Sequence, residues 1–170
     1  MVSPIKLAHV AIQTDDIGRM RDWYAAVLQS EVVFENDLAC FTTYDDEHHR
    51  VVFIKTPGFT PGERAGQQLH HLSFTYAGFD DLIDTYERLR DQGIAPALSI
   101  HHGPTFSFYY RDPDGNNVEL QIDTMSMDEA RDFVRSEVFE ANPIGIPFDP
   151  EDVLARYRAG ASAEELTQYG

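Results

Sequence analysis

Leu69-His70-His71-Leu72-Ser73-Phe74 repeats, 62 residues later, the pattern of Leu7-Ala8-His9-Val10-Ala11-Ile12. Each copy sets a histidine inside a short alternating apolar run, the period of a β-strand whose successive side chains face opposite ways. Val118-Glu119-Leu120 puts a carboxylate in the same kind of setting, 48 residues beyond His71. Two histidines and one glutamate, each on its own strand, suit a metal site with three protein ligands.

The segments around the two copies follow one order. Residues 5–13 read as a strand, and Thr14-Asp15-Asp16 supplies a helix N-cap. Ile17, Met20, Tyr24, Val27 and Leu28 follow at helical spacing to about Gln29. Residues 31–35, 38–44 and 50–55 read as three strands, separated by the turns Glu35-Asn36-Asp37 and Asp45-Asp46-Glu47. Residues 56–66, rich in proline and glycine, read as a linker. The order then recurs. Residues 69–76 form a strand, and Phe79, Leu82, Ile83, Tyr86 and Leu89 mark a helix that stops at Gly93. Residues 96–101, 105–111 and 117–122 give three more strands, the last two joined by Asp112-Pro113-Asp114-Gly115.

The expected fold is therefore α+β, two tandem βαβββ modules pairing into one cup-shaped mixed sheet around the metal site. Residues 1–60 form the first module and 66–125 the second, together one domain. Residues 126–170 form a helical extension. Its capping box, Ser126-Met127-Asp128-Glu129, opens a helix to about Ala141. An extended stretch over 142–150 lies on the body, and Asp149-Pro150 and Ser162-Ala163-Glu164-Glu165 begin two short helices.

Composition narrows the function. A net charge of −16 excludes nucleic-acid binding, which needs clustered Lys and Arg. No apolar run approaches the length of a membrane span, and the N-terminus has no signal-peptide pattern, so no membrane partner is expected. A single cysteine, Cys40, excludes an internal disulfide and fits a reducing cytoplasm. Apolar faces on the tail helices point to a homo-oligomer, a dimer or higher.

The bland reading of His9 and His71 is two core histidines bonded to backbone, with Glu119 facing solvent. Their matched positions in a duplicated unit favour ligation instead. Two imidazoles and one carboxylate leave coordination positions open, an arrangement suited to ferrous iron that must bind substrate and oxygen together. His70 faces the other side of its strand and reads as a structural neighbour. Aligning Val52-Phe53-Ile54 with Val118-Glu119-Leu120 sets Phe53, which cannot coordinate, where a fourth ligand would stand. His49, on Phe53's face and preferred to His48, is a candidate acid–base residue. Tyr109 lies ten residues before Glu119 on the adjacent strand of a hairpin, so both can face one cavity. Its alternative is a core tyrosine with a satisfied hydroxyl, and His101 and His102 can be no more than polar loop residues. Phe41, Phe53, Phe106 and Tyr110 are candidates to shape an aromatic pocket.

With His48-His49-Arg50-Val51-Val52-Phe53 and the run from Tyr109-Tyr110-Arg111-Asp112-Pro113-Asp114-Gly115 through Asn116-Asn117-Val118-Glu119, the chain resembles the vicinal oxygen chelate superfamily. Within it, the likeness is to type I extradiol ring-cleavage dioxygenases. It covers residues 5–123, and the tail around Asn142-Pro143-Ile144-Gly145 is similar to that of single-domain, biphenyl-diol dioxygenase-like members. The resemblance implies Fe(II), with Mn(II) as a substitute, bound by His9, His71 and Glu119. It implies that His49 is the acid–base histidine and that Tyr109 hydrogen-bonds a ring oxygen of a catechol substrate cleaved with O2. The family places a further histidine nine residues before that tyrosine. Position 100 here is Ile100, so His102, followed by glycine, is assigned that role ahead of His101. Fe(II) with one carboxylate carries one net positive charge, which a catechol monoanion cancels, and a neutral cluster is far less costly to keep dry. The competing readings are an epimerase or lyase of the same superfamily and a metal-free binding or resistance protein.

Overall fold

The computed structural model describes residues 3–56, 58 and 69–170; of the expected linker, residues 57 and 59–66 lie outside the described residues. The chain divides into two compact units, one of residues 1–68 with 112–116 and one of 69–111 with 117–170.

The first unit contains β1 (Val10–Thr14), α1 (Ile17–Leu28), β2 (Glu31–Glu35), β3 (Ala39–Thr43) and β4 (Val51–Lys55). Its sheet runs β1-β4-β3-β2, with β1 parallel to β4 and β3 antiparallel to both neighbours. The Asp16 side chain accepts from the Arg19 N–H and starts α1, which buries Ile17, Met20, Tyr24 and Val27 along one face. The first strand begins at Val10, later than its apolar pattern predicts. The carbonyls of Leu7 and Ala8 bond the Arg50 guanidinium, at 2.7 and 3.1 Å, instead of a neighbouring strand. His9 consequently sits just ahead of β1.

The second unit contains β5 (His71–Thr75), α2 (Phe79–Asp91), β6 (Leu98–His101), β7 (Thr105–Arg111) and β8 (Asn117–Asp123). The tail adds α3 (Met127–Phe133), α4 (Glu137–Ala141), β9 (Ile146–Pro147), α5 (Pro150–Arg158) and α6 (Ala163–Leu166). This sheet runs β5-β8-β7-β6-β9. The α+β class and the doubled βαβββ order are as expected, with the strands hydrogen-bonded as two sheets, one in each unit. Gly93, at φ +78°, takes the left-handed conformation past α2.

Two features of the tail depart from the sequence reading. The single helix expected from Ser126 to Ala141 is two, because Ser136 breaks it. Its hydroxyl donates to the Phe133 carbonyl at 2.7 Å and accepts from the Phe139 N–H at 3.3 Å, ending one helix and capping the next. The extended stretch adds a short strand, β9, antiparallel to β6 through His101 opposite Ile146 and Ile100 opposite Pro147. Phe148 then stacks on Phe106 with ring centroids 4.0 Å apart, and Phe106 is part of the unit's core with Phe108 and Tyr86. Arg158 of α5 pairs with Asp84 and Glu87 of α2. Among the described residues no helix is long and apolar enough to cross a membrane.

Candidate functional site

Parallel pairing of β5 with β8 sets His71 opposite Asn117, two residues from Glu119, so the two side chains share a face. His71 Nε2 lies 3.1 Å from Glu119 Oε2. Bonds of about 2.1 Å place adjacent ligands of an octahedral ion about 3.0 Å apart, so this spacing fits two neighbouring positions on one first-row cation. An imidazole beside a carboxylate is also a donor set that iron or manganese accepts. Within either unit taken alone, and among the described residues, no group of three His, Cys, Asp or Glu side chains is gathered as a metal cage.

Glu119 is only 4% exposed. Antiparallel pairing sets Tyr109 directly across from it, and the Tyr109 hydroxyl donates to Glu119 Oε1 at 2.8 Å. Burial, then the hydrogen bond and negative charge of Glu119, push the Tyr109 pKa well up, so the phenol stays protonated at neutral pH. His102 Nε2 stands 2.9 Å from the same hydroxyl, and its Nδ1 stands 2.6 Å from the Ile144 carbonyl. His70, expected on the opposite side, instead brings its Nδ1 to 2.8 Å from His71 Nδ1. When His71 donates there, its Nε2 is left as a lone pair, the form that ligates.

In the first unit, the His9 ring lies 4.6 Å from that of His49, and His49 lies 4.3 Å from His48, with their Nδ1 atoms 2.6 Å apart. Phe41 meets His49 edge-on at 5.0 Å. Burial, then the positive charge of His48 and His9, holds the His49 pKa below the ordinary histidine value. His49 is therefore neutral at pH 7, able to accept a proton. Phe53 is wholly buried against Tyr24, Phe106 is stacked on Phe148, and Tyr110 is buried as well. These three are core residues rather than the aromatic pocket expected of them; the β-strand pattern alone does not say which face is filled by helices. Phe41 remains half-exposed beside His49.

The sequence reading missed the second role of the neighbouring histidine. His101 is buried, with Nε2–H donating to the Thr167 carbonyl at 2.8 Å and Nδ1 accepting the Gly103 N–H at 3.1 Å. Both ring nitrogens are satisfied only in the neutral form, and burial lowers the His101 pKa below 6.5. Folding therefore favours the unprotonated ring. The stabilisation is fully present above the unfolded-state pKa and is lost as pH falls from there through the folded-state value. Thermal unfolding of wild type and His101→Gln checks this. The wild-type advantage should shrink on going from about pH 7.5 to about pH 5.5, because glutamine does not titrate.

Residues 6–120 match the family described as the Glyoxalase/Bleomycin resistance protein/Dioxygenase superfamily. The chain is 42% identical over 171 residues to Biphenyl-2,3-diol 1,2-dioxygenase 2 of Rhodococcus globerulus, covering 99% of this chain and 90% of that one. It is 45% identical to Biphenyl-2,3-diol 1,2-dioxygenase 3 of the same organism, covering 95% and 87%. A crystal structure of a glyoxylase/bleomycin resistance protein/dioxygenase domain from Frankia sp. EAN1pec shares the fold. Its TM-score is 0.58 at 21% identity, over 71% of this chain and 99% of that one. Duplicated βαβββ modules and kinship along nearly the whole length lead to one conclusion: the chain belongs to the Glyoxalase/Bleomycin resistance protein/Dioxygenase superfamily, as a relative of its biphenyl-2,3-diol dioxygenases.

Proposed function

We propose that this chain is an extradiol dioxygenase that opens the ring of an aromatic vicinal diol with O2, using Fe(II) held by His9, His71 and Glu119. The observation that carries the reading is the Glu119 cluster: a buried carboxylate with an imidazole nitrogen at 3.1 Å on one oxygen and a phenol at 2.8 Å on the other. Bound ferrous iron supplies the Lewis-acid and redox chemistry of ring opening.

The chain's own residues supply the rest. His49, neutral at pH 7, takes the proton of a substrate hydroxyl at its free ring nitrogen and later returns it. Tyr109, kept protonated, turns its one hydroxyl hydrogen from Glu119 Oε1 to a substrate oxygen. His102 stands behind that hydroxyl and orients it. The buried flank of Glu119 limits water, which strengthens each of these polar contacts. Both oxygen atoms of O2 enter the ring-opened product, a muconic-semialdehyde type of compound. The protein works in the cytoplasm as a homo-oligomer.

The test is metal analysis after anaerobic purification, then oxygen uptake with mono- and bicyclic catechols. Iron-dependent uptake with formation of a yellow product is the expected result. Turnover with Ni, Zn or Mn and no oxygen consumption would assign an epimerase or lyase, and tight ligand binding without metal would assign a binding protein. His49→Phe should keep its iron and lose about 10²- to 10⁴-fold in kcat, the range for a removed general base. Full turnover in that variant would take His49 out of the mechanism.

A further inference from the structure

We infer that the tail loop Asn142-Pro143-Ile144-Gly145 is a positioning element of the active site, with the Ile144 carbonyl fixing the tautomer of His102 and so aiming its Nε2 at the Tyr109 hydroxyl. This rests on the reading of the Glu119 cluster as the ring-cleavage site and extends that site to a segment beyond the βαβββ repeat.

A carbonyl oxygen only accepts, so at 2.6 Å the His102 Nδ1 must carry a hydrogen. In the neutral ring Nε2 is then a lone pair, and it lies 2.9 Å from the Tyr109 oxygen. The one hydroxyl hydrogen of Tyr109 thus has two acceptors, His102 Nε2 and Glu119 Oε1. The opposite tautomer would turn an N–H toward Tyr109 and remove one of them.

The loop is built to hold that carbonyl still. Asn142 Nδ2 donates to the Gly145 carbonyl at 2.8 Å, and Asn142 Oδ1 accepts from the Gly145 N–H at 3.1 Å, closing the loop on itself. Gly145 has φ +97°, and a Cβ there would stand 2.3 Å from the His101 carbonyl oxygen and 2.8 Å from His102 Cα. The loop backbone is therefore pressed directly against the backbone that carries His102. One residue on, Ile146 pairs with His101 across β9 and β6, pinning the far end. Ile144 as a whole is 66% exposed, so this residue acts through its carbonyl rather than by filling space.

Asn142 is accordingly a positioning residue, and Asn142→Ala tests it with Asn142→Asp as a milder partner that keeps the acceptor for the Gly145 N–H. Nitrogen-15 spectra of histidine-labelled, metal-free protein read the tautomer directly. Wild type should show His102 protonated at Nδ1, and Asn142→Ala a mixture of tautomers. With a catechol substrate, Asn142→Ala should lose about ten-fold in kcat with KM nearly unchanged, and Asn142→Asp should lose less. In a His102→Ala background, Asn142→Ala should cost nothing further, because its effect passes through that ring. An Nε2-protonated His102 in wild type, or a fully additive loss in the double variant, would overturn the inference. A wild-type protein that opens no diol ring would overturn the functional reading instead, and the tautomer spectrum would still decide this one.

Discussion

His71→Ala is expected to purify with little or no bound iron and to open a diol ring at least about 10³-fold more slowly than wild type. The variant removes one of three expected donors. It also removes the imidazole that lies 3.1 Å from Glu119 Oε2, leaving a carboxylate that is 4% exposed beside the Tyr109 hydroxyl. A buried carboxylate so deprived is costly, which further weakens any residual site. Metal analysis of the purified variant, beside oxygen uptake and circular dichroism, checks the prediction. The contrast with His49→Phe is the useful part: one variant loses the ion, the other keeps it and loses turnover. Stoichiometric iron in folded His71→Ala would remove that residue from the ligand set.

Asp112→Ala should lose about 3 kcal/mol of stability. The Asp112 carboxylate accepts from the Tyr24 hydroxyl at 3.1 Å, the Asn116 side-chain amide at 2.8 Å, and the N–H groups of Asp114 and Asn116 at 3.0 and 2.8 Å. Tyr24 is wholly buried, so its hydroxyl has no water to turn to. Asp114 beside it pairs with Arg19, which adds a second tie between this turn and α1. Denaturant unfolding at neutral pH measures the loss, and a change under 1 kcal/mol would mean that water replaces the carboxylate. Within the run Tyr109 to Glu119, the ends carry the proposed chemistry and the middle is architecture.

The repeat itself was legible because strand and helix periods are local properties, and both modules return the expected order. The two histidines part from the matched strand placement that the repeat predicts: His71 opens β5, whereas His9 lies one residue ahead of β1. What the sequence hid were contacts made by backbone atoms. Nothing in the letters says that the Leu7 and Ala8 carbonyls turn to Arg50 and delay β1, or that Ile144 offers its carbonyl to His102. His101 and His102 separate through their partners, the distant Thr167 for one and the distant Ile144 with the nearby Tyr109 for the other. The neighbouring aromatics misled because alternation identifies two faces without saying which of them a helix covers. Gly145 was the available clue: a glycine after Pro143 and Ile144 marks a turn pressed against something.

The two-residue strand β9 has a bearing on how the polypeptide can be divided. It occupies the side of β6 that β7 leaves free, so a chain ended near residue 141 would expose unpaired amide and carbonyl groups along Ile100 and His101. Such a margin recruits strands from other molecules and seeds aggregates. The extension and the second repeat are for that reason a single folding partnership, and neither is a detachable appendage of the other.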